Sequence, residues 1–295
     1  MNTNNLTNSL ICDLQAGVCA VPGSDTENSI TGGKKQMHRL YFTDPICSSC
    51  WGIEPQLRKL KLEYGDYFNI EYRMGGLLPS WNTYGGRDVS NAAEVAQHWD
   101  EVSAYYWLED PLASSYAPSI AFKAAQLQDK IKALTFLRKI KEMVFVEKKN
   151  IAKWEHLQQA ALQTGLDTEK LKIDIEGRGK EAFEEDLKLA KILGVRGFPT
   201  IFFIDEEYNR LRLYGVKPYE EFEQTLLKLY PHAMKAPVYK DAAHVFDHFP
   251  TVTTKEFSFL TNWSKKKAES MLNNLFEEGT VEKYTVKNGT LWKRK

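Results

Sequence analysis

The spacing of apolar positions changes several times along the chain, and each change marks a predicted element. Short apolar or alternating runs predict strands at about 38–42, 68–73, 200–204 and 210–214. Helical spacing predicts helices at 47–64, 180–193 and 218–230, and an almost wholly helical block at about 88–176. A helical block between two pairs of strands predicts an α/β unit, in which the block caps a small sheet.

Residues 241–295 carry a separate pattern. The segment Thr253 to Glu256 has the capping-box spacing that begins a short helix, and a longer amphipathic helix is predicted from Lys265 to Glu278. The Asn288-Gly289 pair between two apolar runs predicts a hairpin. This order of two helices and a hairpin predicts a small winged-helix-like module.

These patterns divide the chain into four parts. The segment 1–36 is rich in Asn, Ser, Thr and Gly, and we expect it to be mostly irregular. It is followed by an α/β domain at 37–230, a linker at 231–240 that begins at a proline, and the C-terminal module at 241–295.

The charge balance limits the partners of the chain. Lys plus Arg and Asp plus Glu both number 39 in the 295 residues, so no net field attracts nucleic acid or an anionic membrane. The chain starts without a basic region, and no run of about 18 apolar residues follows. We therefore predict a cytoplasmic protein that does not bind membranes, in which lasting structural disulfides are not expected.

A dithiol motif lies between the first predicted strand and the first predicted helix. Cys47 and Cys50 are three positions apart at a helix start, which places them within the roughly 5–6 Å Cα separation that a disulfide requires. The positive end of the helix favours a thiolate at Cys47, so the sequence predicts a lowered pKa and an attacking role for this residue. Cys50, one turn further, would resolve the mixed disulfide.

A structural zinc site is the alternative use of these two cysteines, and it would require two further ligands. The sequence contains no second C-x-x-C motif, so we expect neither a metal nor another cofactor. Cys12 and Cys19 lie in the N-terminal segment. They form a second redox pair, bind metal or are incidental thiols, and the sequence leaves these three interpretations open.

A second motif points to the same site. The segment from Gly194 to Thr200 leads directly into the strand at 201–204, so Pro199 occupies a strand entrance rather than a strand interior. The segment Asp44 to Trp51, followed by Pro55 and later by 195–200, resembles the DsbA family of thioredoxin-fold proteins. It is most similar to the intracellular FrnE-like branch.

This resemblance covers about residues 37–230, and 110–115, 121–125 and 145–150 resemble the helical insertion of that family. It implies a thioredoxin-like α/β fold with a large insertion, and a cis bond before Pro199 beside the dithiol. It also implies that Trp51, Phe198 and Thr200 contact the substrate.

The chain also resembles the YjbH/SpxH-like family of Clp-protease adaptors, which join a DsbA-like domain to a small C-terminal domain and deliver the redox regulator Spx for degradation. Two functions follow. The first is a thiol-disulfide oxidoreductase or isomerase that acts on protein or small thiol substrates, in which Cys47, Cys50 and Pro199 form the catalytic site. The second is an adaptor for a substrate of a Clp-type protease. The intact dithiol favours the enzyme, and the appended module favours the adaptor.

DNA contact through the C-terminal module is not expected. Its lysines at 265–267 and its basic end at 293–295 are diluted by nearby glutamates. Aromatic residues of the helical block are core residues of the cap or line a peptide groove, and these are Trp99, Tyr105, Tyr106 and Trp107.

Overall fold

The computed structural model describes residues 11–13, 18–20, 37–80, 83–84, 87–88, 110, 112–237, 241–286 and 289–295. The predicted aromatic cluster at 99–107 lies outside these residues, as does most of the N-terminal segment. The short strands β1 (Ile11–Asp13) and β2 (Val18–Ala20) pair in an antiparallel manner, as do β5 (Thr83–Tyr84) and β6 (Arg87–Asp88).

A mixed four-stranded sheet forms the centre of the α/β domain, in the order β4-β3-β7-β8. Its strands are β3 (Met37–Thr43), β4 (Phe68–Met74), β7 (Thr200–Ile204) and β8 (Arg210–Tyr214). The strands β3 and β4 are parallel, as expected for a strand-helix-strand crossover, and β7 runs antiparallel to β3. The predicted bounds of β7 and β8 are confirmed.

Two helices connect β3 to β4, and the described residues of the insertion and of the second half of the sheet form six more. The connecting helices are α1 (Ser48–Gly52) and α2 (Glu54–Tyr64), followed by a single 3-10 turn at Gly65–Tyr67. The later helices are α3 (Tyr116–Gln128), α4 (Lys130–Phe145), α5 (Trp154–Gln163), α6 (Thr168–Glu176), α7 (Arg178–Ile192) and α8 (Tyr219–Leu229).

The helix predicted from 47 to 64 is interrupted. We expected Pro55 to kink one continuous helix, but α1 ends at Gly52 and α2 begins at Glu54. Pro55 then occupies the first turn of α2, where the missing N–H group has no intrahelical acceptor and costs nothing. The kink prediction was therefore wrong, because a second helix begins at Glu54 and Pro55 lies in its first turn.

The C-terminal segment contains the two predicted helices and the hairpin, together with one helix and one strand that the pattern did not predict. Its elements are α9 (Ala242–His248), β9 (Thr251–Thr253), α10 (Thr254–Thr261), α11 (Lys265–Glu277), β10 (Val281–Val286) and β11 (Gly289–Arg294). The strands form an antiparallel sheet in the order β10-β11-β9. The name winged helix stays an interpretation of this order.

Separate apolar clusters support these parts. One lies between the central sheet and helices α2 and α8, and includes Tyr41, Leu57 and Phe222. A larger one fills the helical insertion and reaches Ile46 and Met74 beside the dithiol turn. The C-terminal module has its own cluster around Phe257 and Trp292. None of the described helices is long and apolar enough to cross a membrane.

Candidate active site and the adjoining module interface

The dithiol lies in the turn after β3. The N–H group of Cys47 donates to the carbonyl of Asp44 at 3.2 Å, which closes the turn, and α1 begins at the next residue. Cys47 is the N-cap of α1, and its Sγ accepts the N–H group of Cys50 at 3.1 Å. Both thiols are free. The strand and the helix therefore hold the pair in the position that the spacing predicted.

Burial changes the expected chemistry of the pair. The exposed fraction is 4% for Cys47 and 0% for Cys50. Burial, and the hydrogen bond that Cys47 makes to Cys50, raise the pKa of the Cys47 thiol. The predicted lowering of this pKa was therefore wrong in this conformation. The helix end favours a thiolate, but the desolvation of a covered sulfur outweighs that contribution.

A buried lysine stabilises negative charge at the second sulfur instead. Burial opposes ionisation of Cys50, but the hydrogen bond to Cys47 and the charge of Lys141 lower the pKa of the Cys50 thiol overall. Lys141 is 1% exposed, and its Nζ lies 2.9 Å from Oε1 of Glu54. The helical insertion thus supplies a cation to the dithiol site.

Asp44 connects the dithiol turn to the insertion. Its Oδ2 accepts the N–H group of Leu77 and the hydroxyl of Ser115, both at 2.8 Å, and its Oδ1 accepts the N–H group of Ile46 at 3.1 Å. All three donors are neutral. Burial therefore dominates and raises the pKa of the Asp44 carboxyl to about 6.

The proline turn lies opposite the dithiol turn. The Phe198-Pro199 bond is cis, as the resemblance implied. In the pairing of β3 with β7, Phe42 faces Thr200, so Pro199 lies opposite the end of β3, where the dithiol turn begins. Thr200 is buried, and its hydroxyl donates to the carbonyl of Gly197 at 2.7 Å. Phe198 is half-buried.

Trp51 follows Cys50 in α1 and is half-buried. Its ring stacks on Phe145 at a centroid distance of 5.4 Å, and the guanidinium of Arg138 lies 4.2 Å from its centre. The resemblance implied that this side chain contacts the substrate. Its described contacts are with Phe145 and Arg138 of helix α4, and it lines a cleft beside the C-terminal module.

An ionic cluster joins that module to the α/β domain. The carboxylate of Glu256 accepts both terminal nitrogens of Arg138 at 3.0 Å, and it lies 3.4 Å from Arg58. Arg58 also donates to the carbonyl of Thr251 at 2.7 Å. Burial opposes ionisation of Glu256, but the two arginines bring the pKa of this carboxyl down to about 2. The interface is therefore charged and closely paired.

Three of these residues were missed by the sequence interpretation, namely Asp44, Lys141 and Glu256. Lys141 left a signal, because it shares one face of α4 with the buried Leu137 and Val144. The predicted capping box of Thr253 and Glu256 is confirmed, but the ion pairs of Glu256 were not foreseen. No group of three His, Cys, Asp or Glu side chains that could hold a metal ion occurs in the described parts of the chain.

Known proteins resemble the chain either over almost its whole length or over about two thirds of it. A curated relative, the ClpXP adapter protein SpxH of Halalkalibacterium halodurans, is 29% identical over 96% of this chain and 96% of its own length. A putative protein disulfide isomerase from Nitrosomonas europaea superposes with a TM-score of 0.55 at 19% identity, over 67% of this chain and all of that one. A probable DsbA oxidoreductase from Streptomyces coelicolor gives a TM-score of 0.52 at 18% identity, over 70% of this chain and 95% of that one.

The solved structures therefore share the fold of the α/β domain, whereas the curated relative matches the chain almost from end to end. The family model described as Thioredoxin matches residues 40–224, which include the dithiol turn, the insertion and the cis-proline turn. The chain thus belongs to the thioredoxin family, with a DsbA-like helical insertion and a similarity to SpxH adapters that extends beyond the thioredoxin domain.

Proposed function

We propose that the chain is an adaptor that presents a protein substrate to a Clp-type protease. The observation that carries this proposal is the extent of the similarity to the ClpXP adapter SpxH, which reaches 96% of both chains. It includes the C-terminal module, which lies beyond the family model at 40–224. An adaptor needs surfaces for a partner, and this module supplies one that a single thioredoxin domain lacks.

The burial of the dithiol supports the same proposal. A nucleophilic cysteine that turns over many substrates has to be reachable by another disulfide, but Cys47 is only 4% exposed. The pair can still open and close in place, because both thiols are free. We therefore assign Cys47 and Cys50 a sensing role in the adaptor rather than repeated catalysis.

A thiol-disulfide oxidoreductase is the second candidate. It is favoured by the retained dithiol at the start of α1 and by the cis bond before Pro199. In this candidate Cys47 attacks a protein or small-molecule disulfide and Cys50 releases the product. Trp51, Phe198 and Thr200 then stay predictions for substrate contact.

The test is a degradation assay with purified ClpXP and the regulator Spx from an organism that carries an SpxH adapter. With the chain present, Spx is expected to be degraded several-fold faster, and a ClpXP substrate that needs no adaptor is expected to be unaffected. A variant with both Cys47→Ser and Cys50→Ser is expected to keep this activity. If the chain leaves the Spx degradation rate unchanged, the adaptor proposal is wrong.

The same variants test the enzyme. A Cys50→Ser protein that cannot resolve mixed disulfides should accumulate covalent complexes with many thiol proteins if the chain is an oxidoreductase. For an adaptor we expect no such collection on a non-reducing gel. Point variants are preferable to removing 241–295, because that deletion would leave the buried Arg138 and Arg58 without the carboxylate of Glu256.

A further inference from the structure

An interdomain cleft of about 520 Å³ lies between the dithiol helix and the C-terminal module. Trp51 and Gly52 line it from the dithiol side, directly after Cys50. Thr253 and Thr254, at the start of α10, line the opposite side. A volume of several hundred cubic ångströms is typical of sites that enclose a ligand or a short peptide segment.

One wall of the interdomain cleft is apolar. Trp51, Pro55, Phe145 and Val146 form it, and the ring of Trp51 stacks on that of Phe145. Contacts with Phe145 and Arg138 already fix the position of the tryptophan side chain. It therefore offers apolar area at a small loss of side-chain entropy on binding.

The module side of the cleft carries two lysines. Lys255 and Lys265 line it and are exposed, and neither forms an ion pair with another residue that the structure describes. They lie in the first turns of α10 and α11, where the helix dipoles add to their positive potential.

Two glutamates also line the cleft. Glu256 is neutralised by Arg138 and Arg58, so its charge is not available to a ligand. Glu269 is exposed and lies one turn after Lys265. Among the described residues that line the cleft, the charges that no ion pair offsets are therefore those of two lysines and one glutamate, and they lie beside the apolar wall.

We propose that the interdomain cleft binds an extended acidic segment of a protein partner, with a large apolar residue against Trp51 and acidic residues beside Lys255 and Lys265. This inference rests on the proposed adaptor function, because an adaptor must hold a protein substrate. Duplex DNA is disfavoured by the apolar wall and by Glu269, since protein surfaces that bind nucleic acid present a broad basic face.

The probe is a fluorescein-labelled peptide of twelve residues that contains alternating acidic residues and a central Trp-Leu pair. Fluorescence anisotropy measures its binding to the full chain at low and moderate salt. A Lys265→Glu variant is expected to weaken binding about fivefold or more, and the affinity of the wild type is expected to fall with salt. A peptide with Ala in place of Trp-Leu is expected to bind more weakly.

Lys266→Glu is the matched control, because Lys266 follows Lys265 on the same helix, is also exposed and does not line the cleft. Equal losses in both variants, a labelled DNA duplex that binds more tightly than the peptide, or no binding of the acidic peptide would each overturn the proposal. If the peptide binds but the chain does not stimulate Spx degradation, the cleft proposal stands and the adaptor function is contradicted. If the chain stimulates Spx degradation and the Lys265→Glu variant does so equally, the cleft proposal is contradicted and the adaptor function is not.

Discussion

The dithiol turn and the module interface each contain a buried carboxylate, and the two carboxylates have opposite properties. Asp44 accepts hydrogen bonds from two backbone N–H groups and one hydroxyl, and burial raises its pKa to about 6. Glu256 is equally buried, but Arg138 and Arg58 overcome the effect of burial and its pKa is about 2. The charge of the donors, rather than the depth of burial, decides the outcome.

The two regions therefore respond differently to their surroundings. A carboxyl that titrates near neutrality changes its charge with modest shifts in pH, so the dithiol turn is electrostatically adjustable. A carboxylate held by two guanidinium groups keeps its charge through the whole physiological range. The charge of the module interface is therefore constant across the physiological pH range, whereas the charge of the dithiol turn changes with pH.

The largest expected effect comes from breaking the interface. Glu256→Gln would remove the carboxylate that Arg138 and Arg58 share and leave them only Glu142 and Glu54, so we expect the free energy of unfolding to fall by about 3–5 kcal/mol. Urea denaturation followed by circular dichroism measures this change. Glu282→Gln is the control, because its ion pair with Lys293 spans 3.6 Å between side chains that are more than half exposed. The control should lose about 0.5 kcal/mol or less, and a similar loss in both variants would contradict the contrast.

A smaller effect is expected from the pH dependence of Asp44. Its pKa rises from 3.8 to about 6 on folding, so between these values the folded state holds a proton that the unfolded state has lost. Stability due to this group therefore falls as the pH rises through that window, by about 3 kcal/mol in total. Asp44→Asn removes this contribution.

The measurement is the stability difference between Asp44→Asn and the wild type at about pH 4 and about pH 7, with the other groups cancelling in the comparison. The variant should gain on the wild type as the pH rises, whatever its absolute stability. For Glu256 the sign is reversed, because its pKa is lowered on folding and its contribution is lost as the pH falls below 4.5. A pH-independent difference for Asp44→Asn would show that this carboxyl titrates normally.

The smallest effect concerns Cys47. Because burial raises the pKa of this thiol, iodoacetamide should modify it at least about tenfold more slowly at neutral pH than it modifies an exposed cysteine. Mass spectrometry of the reduced chain after timed alkylation gives the rate at each cysteine. Rapid modification of Cys47 would restore the sequence prediction of a low pKa, and would mean that the turn opens readily in solution.

Local spacing was enough to predict much of this molecule. The dithiol at a strand-to-helix junction, the bounds of β7 and β8, and the capping box of α10 each depend on residues within a few positions of one another. The cis bond before Pro199 was predicted from a family resemblance that needed two distant motifs. The first three features are local, so a single sequence reveals them, whereas the cis bond needed the family resemblance.

The rest depends on contacts that sequence spacing does not reveal. The pairing of Arg138 with Glu256 joins residues 118 positions apart. The burial of Cys47 depends on how the chain packs around the turn, and a helix-end argument applied to an exposed thiol therefore gave the wrong sign. The strand β9 is only three residues long, and it is defined by its partner β11 rather than by its own pattern.

The close approach of Gly75 and Phe198 restricts which sequences can carry this site. Gly75 follows β4, and its N–H group donates to the carbonyl of Thr43 at 2.8 Å, while a Cβ atom at this position would lie 2.0 Å from the Phe198 ring. The two positions share one volume, so they should covary among related chains. A side chain at 75 requires that the Phe198 ring move away or that residue 198 become smaller, so glycine at the end of β4 is what allows an aromatic ring to lie in this position beside the cis-proline.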